Sequence, residues 1–478
     1  MRTCRSLCLF LILFLLAACS QDQPKQQPLS LNSYNPHYFT FRGRPEVLIG
    51  STEHYGAVMN LDFDYIKYLD ELDSCGLNIT RTFSGSYVEP ENAFGILKNT
   101  LAPAPGRYIC PWARSSEPGY ANGGNKFDLS RWDENYFLRL KDFVAQAGKR
   151  GIIVELDLFS NYYDTLKWNI CPMNIRNNIN GIGDYSDHNA VLSTDHADLM
   201  EVEEKMVRKI VNELKDFDNI YYEVCNEPYF GDITALAKWE KFMTAVVADA
   251  EKDFTFRHLI SNNIANYNKL VPSVRPDVSV YNFHYAHPPV AVGVNYHLDK
   301  VIGDNETGFN GTGDANYRTE AWNFMLAGGG LFNNLDYSFT AGNEDGSFVV
   351  QEGEPGGGGK TLRKQLRILS DFMHSIDFVN MKPADSIRMS ADDDEATVRA
   401  LSDDAANLIA VYVQRKDTVT SAMDLQVDLS PGSYSMIWTD TKTGKETDGD
   451  IKYHQGGFAT LTSPVFSEDI ALRIAKAD

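Results

Sequence analysis

The chain has 478 residues, 43% hydrophobic and 23% charged, a balance that suits a folded chain long enough for a large domain and an accessory one. Its formal charge of −21 excludes nucleic acid and anionic membrane as partners for a charged face, since both require a cationic surface. Seven cysteines in a chain of this length do not describe a disulfide scaffold, and no Cys/His spacing matches a zinc site; neither a metal nor a cofactor is expected.

Arg2 and Arg5 precede an apolar run from Cys8 to Ala18, which is too short to span a membrane as a mature helix. The run ends in Leu16-Ala17-Ala18-Cys19, which resembles a bacterial lipobox. That resemblance implies cleavage before Cys19, lipidation of Cys19 and attachment to the cell envelope through an N-terminal lipid. Ser20 follows where inner-membrane retention signals carry aspartate, so an outer-membrane lipoprotein is expected. Residues 1–19 are therefore assigned to the signal and lipobox. Residues 20–33, rich in Gln, Pro and Ser, form a tether outside the fold.

From Pro45 onward, β-rich runs alternate with amphipathic stretches. Strands are predicted at Val47–Thr52, Leu77–Phe83, Ile152–Leu158, Ile220–Cys225, Leu259–Ser261, Val278–His284, Val301–Gly303 and Gly330–Tyr337. Helical spacing is read over Asp62–Cys75, Trp132–Arg150, Glu201–Phe217, Ala235–Asp253, Arg318–Leu326 and Thr361–Ile376, the first two stopped by Gly76 and Gly151. Eight βα units in succession predict an α/β fold, a closed (β/α)8 TIM barrel over residues 34–380. Residues 381–478 change to short alternating runs separated by turns, the pattern of a small antiparallel β-sandwich: Thr397–Leu401, Leu408–Val413, Asp424–Val427, Gly432–Thr439, Phe458–Leu461 and Asp469–Ile474. Cys75 and Cys225 read as core thiols, and Cys110 and Cys171 lie in loops where an oxidising compartment would allow pairing. Asp392-Asp393-Asp394 reads as a solvated acidic turn.

Barrel enzymes carry their chemistry at the C-terminal ends of the strands. Glu227 ends the fourth strand in Asn226-Glu227-Pro228, and Glu306 follows the seventh in Glu306-Thr307-Gly308. Two carboxyls so placed are what glycoside hydrolysis requires, one to protonate the leaving oxygen and one to attack or stabilise the oxocarbenium-like centre. These motifs resemble those of clan A glycoside hydrolases, especially the cellulase-like family 5. The resemblance implies Glu227 as acid/base, Glu306 as nucleophile, net retention and an oligo- or polysaccharide substrate. It also implies that Arg81 steadies the nucleophile and that Asn226 binds the sugar 2-hydroxyl. His284, with Tyr285 or His287 beside it, corresponds to the family histidine. Glu223 points into the barrel and needs a cation such as Arg81.

Two departures stand out. Asp157-Leu158-Phe159 offers phenylalanine where the family has histidine after the third strand, and Asn333-Asn334-Leu335-Asp336-Tyr337 lacks the tryptophan of the eighth. Tyr317-Arg318-Thr319-Glu320-Ala321-Trp322 through Gly330 is similar instead to apiosidase-like barrels, which also carry a C-terminal sandwich. Asp157, Glu53 and His54 are further substrate-binding candidates, and Tyr87, Trp112, Tyr120, Tyr162, Tyr163 and Trp168 are candidate sugar-stacking platforms. A catalytically inactive glycan-binding barrel is the alternative. Loss of either glutamate would have favoured it, and both are present. An amide- or ester-cleaving barrel would need a metal cluster or a Ser/His/Asp arrangement, and the strand ends carry neither.

Overall fold

The computed structural model describes residues 27–384 and 395–477, together with the backbone of 387–389. The lipobox, Cys19, most of the tether and the Asp392-Asp393-Asp394 turn lie outside the described residues.

Eight parallel strands form the barrel sheet: β1 (Leu48–Thr52), β2 (Ile79–Phe83), β3 (Ile153–Ser160), β4 (Ile220–Asn226), β5 (Ile260–Asn266), β6 (Val280–His284), β7 (Val301–Thr307) and β8 (Leu331–Leu335). Their order is β1-β8-β7-β6-β5-β4-β3-β2. The ring closes between β1 and β2, where the Asn78 side chain accepts a hydrogen bond from Ile49 N at 2.9 Å and Asn78 N donates to Ile49 O at 3.3 Å. Only glycine fits at position 50 on this seam, because an added Cβ would lie 2.7 Å from Ile79 Cγ2 and 2.5 Å from Asn333 Oδ1.

The strands run further than apolar patterning predicts. β5 extends to Asn266 and β7 to Thr307, because Asn262, Asn263, Asp304 and Glu306 continue the ladder with polar side chains, the register skipping Asn305. Besides a single short helix at Thr165–Ile170 in the loop after β3, the helices are α1 (Tyr65–Ser74), α2 (Glu134–Lys149), α3 (Ala197–Leu214), α4 (Ile233–Ala250), the short α5 (Val290–Asn295), α6 (Asp314–Leu326) and α7 (Lys360–His374). Asp64, Asp133 and Asp232 cap α1, α2 and α4 by accepting hydrogen bonds from first-turn amides. The expectation of eight successive βα units fails at one point. Residues 267–279 join β5 to β6 without a helix, because Pro272 and Pro276 interrupt the segment and Asn295 instead pins it, at Lys269 O (2.9 Å) and Val271 N (2.8 Å).

The end of the presumed tether belongs to the fold. Ser30–Leu31 pairs with Phe39–Phe41, which pairs with Arg44–Glu46. Leu29, Phe39 and Phe41 pack against Leu48, Ile79, Ile153, Val280, Val301 and Leu331, the first residue of six barrel strands. The N-terminal segment thus plugs the bottom of the barrel, and the apolar Leu29 is what draws it in.

The C-terminal region forms a six-stranded antiparallel sheet facing a three-stranded one. Ile409, Val411 and Val413 enter the sandwich core, whereas Ala410 and Tyr412 of the same strand face the barrel. Burial on both faces explains the unbroken apolar run. The strand Glu446–His454 escapes sequence reading because it is a polar, mostly exposed edge. Helix α6 is buried from Tyr317 to Leu326 because the barrel covers one side and the sandwich the other. Trp322 stacks on Tyr412 with ring centroids 5.5 Å apart. Arg318, buried, donates to Asp469 at 2.8 Å and to Glu468 at 2.6 Å.

Arg318→Ala would leave Asp469 buried without its cation and should cost about 3–5 kcal/mol. The measurement is the urea unfolding midpoint of the variant against the parent; an unchanged midpoint would show that the two domains dock without help from this pair.

Candidate active site

At the C-terminal face of the barrel, β2, β3, β4 and β7 converge on one guanidinium. Arg81 donates to Asp157 through Nε (2.9 Å) and Nη2 (2.6 Å), to Glu223 Oε1 (2.8 Å), to Asn226 Oδ1 (2.8 Å) and to Glu306 Oε2 (2.9 Å). Glu155 Oε1 lies 3.5 Å from Nε, and the rings of Tyr55 and Phe83 cover the guanidinium carbon at 4.5 and 5.5 Å. Arg81, Glu155, Asp157 and Glu223 are fully buried.

One cation cannot neutralise four buried carboxylates, so part of the cluster must hold protons. Burial, followed by the charge of Glu223, pushes the Glu155 carboxyl up to about 8. Asn282 and Asn305 donate to both acids, at 2.6–3.3 Å, and Tyr221 donates to Glu155 at 2.5 Å.

Glu306 goes the other way. Burial favours its neutral form, but the His284 and Arg81 charges together with the Tyr285 hydroxyl outweigh that and bring it down to about 2. Tyr285 Oη donates to Oε1 at 2.7 Å while Arg81 holds Oε2. Glu227, just past β4, has different company: His284 Nδ1 at 2.9 Å and the Tyr229 hydroxyl at 3.0 Å, both at Oε1. His284 Nδ1 also lies 3.6 Å from Glu306 Oε1, and one oxygen of each glutamate and this ring nitrogen are all within 4.8 Å of one another. That spacing would also admit a cation, as would the oxygens of Glu155, Asp157 and Glu223, although Arg81 already occupies the centre of the second group. Glu227, Tyr285 and Tyr55 have φ of 50°, 54° and 58°, so three non-glycine residues at the barrel mouth adopt the costly left-handed conformation.

These groups open into a cavity of about 480 Å³. Glu227, Glu306, Asn226, Tyr285, His54 and His287 line it, as sequence reasoning anticipates. Four residues predicted at the site do not reach it. Arg81 and Asp157 lie beneath its floor, bonded to each other. Glu53 is buried in a loop anchor, accepting hydrogen bonds from Gly56 N, Ala57 N and the Thr100 hydroxyl at 2.5–3.0 Å. His284 is likewise fully buried, behind the two glutamates.

Of the six aromatic candidates, Tyr87 and Tyr163 line the cavity, whereas Trp112, Tyr120, Tyr162 and Trp168 are packed inside the loops. Cys110 and Cys171 are free buried thiols, Cys171 Sγ lying 3.0 Å from the Tyr162 hydroxyl. Sequence reasoning missed Tyr55, Phe94, Phe230, Tyr267, Phe309, Glu89 and Glu320 as lining residues. Glu320 stands in a stretch already singled out, and Phe309 is three residues past Glu306; both were within reach. The others sit in loops whose folding no local pattern announces.

A pair of facing carboxyls in a pocket at the C-terminal mouth of a (β/α)8 barrel is the arrangement that glycoside hydrolysis requires. Residues 107–277 match the cellulase family, glycosyl hydrolase family 5, a stretch that includes Asn226-Glu227-Pro228. No curated protein matches the sequence. Among solved structures, a family 5 glycoside hydrolase of Bacteroides vulgatus ATCC 8482 superposes with a TM-score of 0.63 at 13% identity, covering 95% of this chain and 94% of that one. A second protein of the same organism gives 0.65 at 16% identity, covering 95% and 83%. An endo-1,4-β-mannanase of Rhizomucor miehei gives 0.51 at 13%, covering 73% and 99%. At such identities the likeness is one of fold.

The buried acids set opposite pH dependences. Glu155 retains its proton in the folded chain up to about pH 8, against an ordinary value of 4.5, so its contribution to stability is full below 4.5 and is lost as pH rises through 8. Glu306, depressed to about 2, contributes fully above 4.5 and loses that contribution as pH falls toward 2. Glu155→Gln should therefore flatten the decline in melting temperature between pH 5 and 8 while leaving the acid side unchanged. Parallel melting curves of variant and parent across that range would refute the assignment.

Proposed function

We propose that the protein is a retaining glycosidase that cleaves O-glycosidic, β-configured bonds of oligo- or polysaccharides, with Glu306 as nucleophile and Glu227 as acid/base. The observation that carries this reading is the asymmetry of two carboxyls with one oxygen each inside 4.8 Å: both share the His284 imidazole, but only Glu306 is also held by the Arg81 guanidinium and the Tyr285 hydroxyl, and Glu227 meets no guanidinium or ammonium among the described residues. With one oxygen of each carboxyl inside 4.8 Å, the pair is closer than the roughly 6.5–9.5 Å at which an inverting mechanism places a water between its carboxyls.

In the first step a Glu306 oxygen attacks the anomeric carbon while the Glu227 hydroxyl gives its proton to the departing glycosidic oxygen. The products are a glycosyl ester on Glu306 and a Glu227 carboxylate, whose charge His284 and Tyr229 then stabilise. In the second step Glu227 takes a proton from water, the resulting hydroxide attacks the anomeric carbon, and the Glu306 carboxylate leaves. Arg81 fixes Asn226 Oδ1, which turns Nδ2 toward the Tyr163 hydroxyl at 2.8 Å and the cavity, where it would donate to the sugar 2-hydroxyl.

The same proposal extends to location. The basic start, the apolar run and Cys19 support a lipidated protein of the bacterial envelope, of the outer membrane by the residue that follows Cys19. Among the described residues no helix is long and apolar enough to cross a membrane.

Glu306→Ala should abolish nearly all turnover, and azide should partly restore it by entering the space left. Glu227→Ala should slow substrates with poor leaving groups by roughly 10²–10⁴-fold and activated aryl-glycosides far less. Undiminished turnover in the first variant, or equal losses on both substrate types in the second, would overturn the roles. For the anchor, Cys19→Ser should shift the protein out of the membrane fraction or block its processing; unchanged fractionation would count against the lipobox.

A further inference from the structure

Three loops wall off one half of the pocket. The loop after β2 (84–111) carries Phe94, the loop after β7 (308–313) carries Phe309, and the loop after β8 (336–359) stands behind both. Phe94 and Phe309 meet edge to face, with ring centroids 6.5 Å apart, and both line the cavity. Leu97 N donates to Glu354 Oε2 at 3.3 Å, tying the first loop to the third, and Gly311 N donates to Pro355 O at 3.1 Å, tying the second to the third. Backbone contact is so close that a Cβ on Gly356 would lie 1.8 Å from Gly308 O. Phe94 itself is held in place: Lys167 Nζ sits 4.2 Å above its ring, and Tyr163 packs against its edge at 5.1 Å.

The opposite half is open. Phe230, after β4, and Tyr267, after β5, also line the cavity; Phe230 is about as exposed as Phe94 and Phe309, but among the described residues no ring contact joins it to Tyr267, as one joins Phe94 to Phe309. The two halves are chemically unequal as well. The walled half carries Glu306 on β7 and, at its far end, His54 and Glu89, polar groups able to hold sugar hydroxyls; His54 Nδ1 is buried without a hydrogen-bond partner. The open half lies beside Glu227.

We infer that the enzyme removes single residues from the non-reducing end of its substrate, an exo-acting glycosidase whose leaving group exits between Phe230 and Tyr267. This rests on the roles proposed for Glu306 and Glu227. The glycone must sit over the nucleophile, hence in the walled half, and the glycosidic oxygen beside the acid, hence toward the gap. A chain continuing beyond the glycone would have to pass through the Phe94–Phe309 contact. A terminal residue instead ends there with free hydroxyls facing His54 and Glu89. A cavity of about 480 Å³ falls within the range of closed small-molecule sites, roughly 300–1,000 Å³.

The test follows initial products from hexasaccharides of β-linked hexoses and pentoses labelled at the reducing end, using the full-length protein. For the oligosaccharide that is turned over, the first labelled product should be the pentasaccharide alone, accompanied by free monosaccharide. In Phe94→Gly/Phe309→Ala, shorter labelled fragments should appear among the initial products as the wall opens. Labelled di- or trisaccharide formed at the outset by the parent would overturn the inference. If those internal cuts vanish in Glu306→Ala, the nucleophile stands and only the exo reading falls; if they persist, the assignment of Glu306 fails too.

Discussion

A guanidinium surrounded by four carboxyls in a dry barrel interior cannot be assembled piecemeal. Arg81 without its acids would be a buried charge, and each acid without Arg81 would be another. The cluster exists because β2, β3, β4 and β7 bring their inward residues to the same depth, so the closure of the ring and the chemistry at its mouth are one requirement. Asparagines on β6 and β7 satisfy the remaining carboxylate lone pairs. The result is a barrel core that is polar where most are aliphatic, and Glu306 inherits its anionic state from it.

That polar core also governed what could be read from sequence. Glu227, Glu306, Arg81 and His284 were legible because each stands at or near the end of an apolar run, at a spacing that the barrel converts into proximity. The later parts of β5 and β7 were not, because Asn262, Asn263, Asp304 and Asn305 break the apolar pattern inside strands whose pairing continues past a register shift. Asp157 and Glu53 were read as substrate contacts because polarity at a strand end looks the same whether the side chain meets solvent or another buried group. Their partners, 76 positions apart for Arg81 and Asp157, become visible only in three dimensions.

The aromatic residues show the same limit from the other side. A ring in a loop can be a platform or a wedge, and Trp112 and Trp168 proved to be wedges that fix the long loops after β2 and β3. Phe94 and Phe309 belong to different loops, and although Phe309 lies close to Glu306 in sequence, what the two rings do follows from their meeting. Helix α6 is a third case. It lacks a polar face because a second domain covers the side that solvent would otherwise wet, and Trp322 and Arg318 supply the apolar and ionic halves of that seam.

The plug at the bottom of the barrel carries a directional consequence. Leu29 is fixed at the face opposite the pocket, so any anchor attached through the preceding residues pulls on the closed end of the cylinder. From Cys19 to Leu29 an extended chain reaches at most about 35 Å. Were Cys19 the mooring point, the leash would enter the barrel at the end away from the opening, which would leave the mouth clear of the point of attachment.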